Sequence, residues 1–128
     1  MREIKFRGKF KNGNWEYGGL RYGDMGQAYI LPHGANSIVE LVDRHTVGQY
    51  MGLKDKNGQE IYEGDIVKFI NHNNGKELLR EVNWNEKDAC FQFGDSDGWK
   101  FQNYLEMTKS TMEIIGNTYE NSELLGVK

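Results

Sequence analysis

The chain's pattern predicts a mainly β protein. The expected architecture is an N-terminal β-hairpin region, a small barrel in the C-terminal part and a short closing helix. Three observations predict it. Residues 4–11 alternate between apolar or glycine positions and cations. Three Trp, seven Tyr and six Phe stand beside 16 Gly and a single Pro, a composition of short strands and tight turns rather than long helices. From Asp55 onward, turn signals recur after strands of about five residues, the rhythm of a small barrel.

The first element is a hairpin over residues 1–22. Ile4, Phe6, Gly8 and Phe10 fall on one face of a strand, and Lys5, Arg7, Lys9 and Lys11 on the other. Asn12-Gly13 is a strong two-residue hairpin signal. With those residues as the loop, Phe10 faces Trp15, Lys9 faces Glu16 and Gly8 faces Tyr17. Residues 23–36 read as the least ordered stretch and as a candidate linker, with Ala28-Tyr29-Ile30-Leu31 a short strand ended by Pro32. Residues 37–42 are ambiguous between strand and helical turn, and their β-branching favours strand. Asp43-Arg44-His45-Thr46 is a polar turn.

The stretch over residues 49–67, QYMGLKDKNGQEIYEGDIV, organises the rest. Asp55-Lys56-Asn57-Gly58 has a turn mechanism: Asp55 accepts a hydrogen bond from the backbone two residues on, and Gly58 supplies a left-handed residue. That order suits a type I turn closed by a glycine bulge. Leu53 and Ile61 then share a buried face. Gly64-Asp65 punctuates the chain before Ile66-Val67-Lys68-Phe69-Ile70, a well-packed strand by composition. Residues 71–75 form a polar loop. Strands follow over 78–84 and 89–93, separated by a turn at 85–88. Asp95-Ser96-Asp97-Gly98 is a further turn, and residues 104–108 read as one helical turn. Residues 112–119 form the last strand, after which Asn121 caps a short helix with Leu124-Leu125 packing back.

The central stretch closely resembles the signature of the YopX family of phage and prophage proteins, QYTGLKDKNG-x-EIYEGDIV, with Met51 in place of the usual Thr. The opening Arg2-Glu3-Ile4-Lys5-Phe6-Arg7 and the closing Ile115-Gly116-Asn117-Thr118-Tyr119-Glu120-Asn121-Ser122-Glu123-Leu124-Leu125 also match. In the closing piece Thr118 stands for the family's usual Ile, and Ser122 for its usual Pro. The matches lie at both ends and in the middle, so the resemblance spans essentially the whole chain. It implies a phage origin and an SH3-like form for the C-terminal barrel. It implies no activity, and so transfers no catalytic or binding residue.

The expected division is an N-terminal region over residues 1–48 and a barrel with its terminal helix over residues 49–128. A chain of 128 residues has the length of one domain or of two small lobes sharing a core. Its net charge of −3 argues against a general nucleic-acid binder. Cys90 is alone, which excludes an internal disulfide and a thiolate metal cluster and fits a reducing cytoplasm. There is no secretory signal and no apolar run of transmembrane length, so no membrane association is expected. Exposed sheet edges leave room for homo-oligomerisation.

Five constellations could carry chemistry. Arg2, Lys5, Arg7, Lys9 and Lys11 face Glu3 alone, a local net of +4 that could meet phosphates or an acidic partner. The plainer reading, lysines on a solvated strand face, outweighs it. His33, His45, His72 and Cys90 have no metal-ligand spacing, and no metal or cofactor is expected. Glu60, Glu63 and Asp65 could act as an acid/base pair or hold a hard cation, but an aspartate after Gly64 more simply accepts backbone N–H groups. Asp95, Asp97 and Glu106 lack the order of a calcium loop. Trp15, Tyr17, Tyr62, Trp84, Trp99 and Tyr104 could line a groove, although rings at strand spacing more often fill a core. The leading expectation is a non-enzymatic accessory protein that binds a host or phage protein. Nucleic-acid binding through the basic strand comes second, and an unrecognised enzyme third.

Overall fold

The computed structural model describes residues 3–32, 39–70, 75–94 and 112–126. The chain divides into two compact units, Met1–Gly52 and Leu53–Lys128, and its described regular structure is almost entirely strand. Arg2, His33, His72, the loop at 71–74, and the expected turn, rings and helical turn between residues 95 and 111 lie outside the described residues.

The first unit contains β1 (Phe6–Phe10), β2 (Trp15–Tyr22), β3 (Ala28–Leu31) and most of β4 (Glu40–Lys54). Every pairing is antiparallel, and the pairings close on themselves. β1 pairs with β2 on one side and with β4 on the other, β2 pairs with β3, and β3 with β4. The expected hairpin is therefore one arc of a ring. Inside it, Ala28, Ile30 and Val42 are buried, with Phe6, Leu20 and Val47 packed against them. Ala28 and Ile30 fall in the stretch that reads as a linker. Their two-residue spacing puts both on the inner face of β3.

The β1–β2 register differs from expectation by one residue. Lys9 pairs with Trp15, Gly8 with Glu16 and Arg7 with Tyr17. The loop has three residues, not two: the Phe10 N–H donates to the Asn14 carbonyl at 2.7 Å, and the Gly13 N–H to the Phe10 carbonyl at 2.9 Å. Gly13, at φ 92°, takes the left-handed position of a glycine bulge. Asn12 accepts from the Asn14 N–H at 2.9 Å. Asn-Gly suits both loop lengths. The space over Gly8 is filled by Val42, whose Cγ2 would lie 2.6 Å from any added Cβ.

The second unit contains the end of β4, β5 (Glu60–Tyr62), β6 (Asp65–Ile70), β7 (Glu77–Asn85), β8 (Cys90–Phe93) and β9 (Glu113–Asn117). Four strands form an antiparallel sheet in the order β8-β7-β6-β9. Ile61, Ile66, Val67, Phe69, Val82, Phe93 and Met112 are buried. Phe69 and Phe93 meet edge to face with centroids 4.9 Å apart, as do Trp84 and Phe91 at 5.0 Å.

The turn at 55–58 forms as its residues require. The Asp55 carboxylate accepts from the Asn57 and Gln59 N–H groups, both at 2.9 Å, and Gly58 sits at φ 81°. Its other oxygen accepts from the Ile114 N–H at 3.0 Å, 59 residues away. The Lys56 N–H also donates to the Met112 carbonyl at 2.8 Å. The turn is thus clasped to the strand that ends the sheet.

The closing piece meets the central one at a second point. Gly64, at φ 91°, lies under the Tyr119 ring, and its carbonyl accepts from the Thr118 N–H at 2.8 Å. A Cβ on Gly64 would come within 2.8 Å of that ring. Gly64→Ala is expected to cost roughly 2 kcal/mol through backbone strain and ring displacement. Combining it with Tyr119→Ala should recover the steric part, which urea unfolding of the single and double variants would measure.

Asn121 does not cap as expected. The chain ends in a single 3-10 turn, Ser122–Leu125, and Asn121 makes no side-chain cap. Its side-chain oxygen instead accepts from the Asn117 N–H at 3.2 Å, folding the end back onto β9. Leu124 lies at the surface.

Candidate functional site

The basic strand does not form a uniform solvated face. Arg7 is only 6 % exposed, and its guanidinium lies 4.4 Å from the centre of the Trp15 ring. The Lys5 ammonium pairs with Glu3 at 3.5 Å and stands 5.9 Å from the Tyr50 ring centre. Lys9 is half-buried, and its backbone N–H donates to the Thr46 hydroxyl at 2.8 Å. Lys11 is exposed in the hairpin loop. The register explains the arrangement: Trp15 opposite Lys9 and Tyr17 opposite Arg7 put rings and cations on one face. Farther along the unit, Arg21 stacks on Tyr29 at 5.0 Å.

The polar turn expected at 43–46 lies inside β4 as an excursion. Lys9 pairs with Asp43 while Arg7 pairs with Gly48, so β4 carries extra residues between these pairings. Thr46 holds them by donating to the Asp43 carbonyl at 2.6 Å, and Asp43 accepts from the His45 N–H at 3.0 Å. Beside this excursion an open groove of about 540 Å³ runs between the hairpin tip and β4. Phe10, Gly13, Leu41 and Val42 line it, with Lys9, Lys11 and Asp43 supplying its charges. Leu41 is 52 % exposed and is the most accessible apolar group in this lining. Sequence reasoning missed it. The only signal was that Leu41 falls out of phase with the inward-facing Val42.

The central carboxylates are occupied by the fold. Asp65 is buried and accepts from the Tyr62 N–H at 2.8 Å, closing the turn at 62–65. Glu60 accepts from the Tyr62 hydroxyl at 3.0 Å. Among the described residues, no group of three or more His, Cys, Asp or Glu converges as a metal site would require. Of the expected groove rings, Tyr62 is buried, whereas Tyr17 and Trp84 are exposed. Cys90 is half-buried.

Glu113 lies between Lys68 at 3.4 Å and Lys56 at 3.5 Å. The hydrogen bond from Lys68 and the charge of Lys56 hold its carboxyl below the usual glutamate range. A depressed folded value means the pairing favours folding above the unfolded value of about 4.3 and is lost as pH falls below it. Glu113→Gln is therefore expected to flatten the acid limb of the stability curve while leaving the neutral-to-basic limb parallel to wild type. Urea midpoints from pH 3 to pH 7 would test this.

These features define a class: a two-unit antiparallel β protein whose candidate site is an open surface of rings, cations and apolar side chains. The chain belongs to the YopX protein family, which matches it over residues 5–126. The crystal structure of protein EF1440 from Enterococcus faecalis is similar, with a TM-score of 0.62 and 23 % identity, over 98 % of this chain and 99 % of that one. The similarity is one of fold. No curated protein matches the chain.

Proposed function

We propose that this YopX-family chain is a phage- or prophage-encoded accessory protein that works in the host cytoplasm by binding another macromolecule, a host or phage protein. The observation that carries this reading is the exposed apolar surface of the first unit. Leu41, on β4, is 52 % exposed, and an open groove lies beside it. Residues 1–48 supply the binding surface in this reading, and residues 49–128 form an SH3-like barrel. Support for the barrel comes from the run β6-β7-β8 of neighbouring antiparallel strands, with β9 returning to β6.

The test is a pull-down of the tagged chain from lysogenic host lysate, with and without nuclease. A protein recovered in both conditions is the expected result. Recovery that vanishes with nuclease would overturn this reading in favour of nucleic acid. One observation favours that second reading: cations and rings alternate on the β1–β2 face, as on surfaces that stack bases. Against it, Arg7 is already packed on Trp15 and buried.

A further inference from the structure

We propose that the hairpin-tip groove is a docking slot for an extended segment of a partner protein that presents a carboxylate beside a large apolar side chain. This rests on the reading of the chain as a protein-binding module and names the site and the partner's chemistry. The groove's volume, about 540 Å³, accommodates a few side chains rather than a folded domain. Phe10, Leu41 and Val42 give it apolar walls, and the exposed Leu41 gains most from being covered.

Its charge points to the occupant's sign. Lys9 and Lys11 stand against Asp43, a local net of +1 on a chain whose total is −3. Asp43 already accepts a hydrogen bond from the His45 N–H. Lys11 is exposed on the three-residue loop, where an ammonium group can reach an incoming carboxylate. Hydrogen bonds and one glycine shape the floor. Gly13 holds the loop in a left-handed bulge, and Thr46 fixes the β4 excursion through Lys9 and Asp43. A preformed slot loses little entropy on binding.

The test is selection of random displayed heptapeptides on the immobilised full chain, compared with a Lys11→Glu/Leu41→Ser double variant. Both positions are exposed, and matching circular dichroism would show that the variant keeps its fold. Expected are enriched peptides with Asp or Glu next to Leu, Ile, Phe or Trp, binding the double variant at least about tenfold more weakly. Amide shifts on adding a selected peptide should concentrate at residues 9–13 and 41–43. Failure to enrich any peptide, enrichment of basic peptides, or equal binding to the double variant would overturn the slot. A nuclease-resistant partner captured equally by wild type and double variant would leave the protein-binding reading standing and remove only the groove.

Discussion

Asp55→Ala is expected to destabilise the second unit by about 3 kcal/mol, because one carboxylate holds three backbone donors and each unsatisfied donor costs roughly 1–3 kcal/mol if water does not replace the acceptor. The donors are not equivalent. The Asn57 and Gln59 N–H groups lie in an exposed turn and can rehydrate, whereas Ile114 is half-buried on β9. Asp55→Asn separates the two roles. Its amide oxygen can still serve the turn, while its NH2 group would face the Ile114 N–H, donor against donor. The asparagine variant should therefore retain the turn and lose the clasp, at roughly half the cost of alanine. Urea unfolding of the three proteins would give the order wild type, Asn, Ala. Equal stability of all three would remove Asp55 as the clasp.

Gly18→Ala should have a comparable or larger effect on the first unit. Gly18 has φ 155°, and a Cβ there would collide with the Leu31 carbonyl oxygen and approach the Leu31 carbonyl carbon to 2.8 Å and the Pro32 Cα to 3.1 Å. All of these are backbone atoms, so no side-chain rotation relieves the clash. β2 and β3 must separate where Gly19 pairs with Leu31. The expected loss is about 3–5 kcal/mol, in the tail reserved for backbone collisions. The adjacent residue is the control. A Cβ on Gly19 would meet the Leu31 Cβ at 3.9 Å, an ordinary contact, so Gly19→Ala should stay within about 1 kcal/mol of wild type. Amide spectra of both variants would show whether the loss is confined to the first unit.

What the sequence made legible was local. The turn at 55–58, the glycine at 64 and the short β3 each depend on neighbours in the chain, and each is present. Most of the misses depend on residues far apart. Asn12-Gly13 fits both a two- and a three-residue loop, so the dipeptide alone does not fix the β1–β2 register. The ring closure of the first unit required knowing that β4 returns to β1 past an excursion held by Thr46. The cap expected from Asn121 gave way to its hydrogen bond with Asn117, a competition that residue type alone does not decide. For the candidate site, the sequence marked the cations but not the groove, because Leu41 becomes an exposed wall only once β4 lies beside the hairpin tip.

The two family pieces that meet in the second unit act as a structural clasp. Asp55 reaches Ile114, the residue just before the closing piece, and Gly64 seats Tyr119 and accepts from Thr118. Chemistry is not needed to explain why those residues stand where they do. The proposed binding surface lies on the first unit, on residues that the central stretch does not include. Native-state hydrogen exchange of the wild-type chain, read at Ile114 and Thr118, tests the clasp most directly. If it is one, these amides should exchange only through the opening that also exposes Val67 in the buried core strand. Exchange of Ile114 and Thr118 orders of magnitude faster than Val67 would mean that the pieces merely touch, and the structural account of the signature would fall.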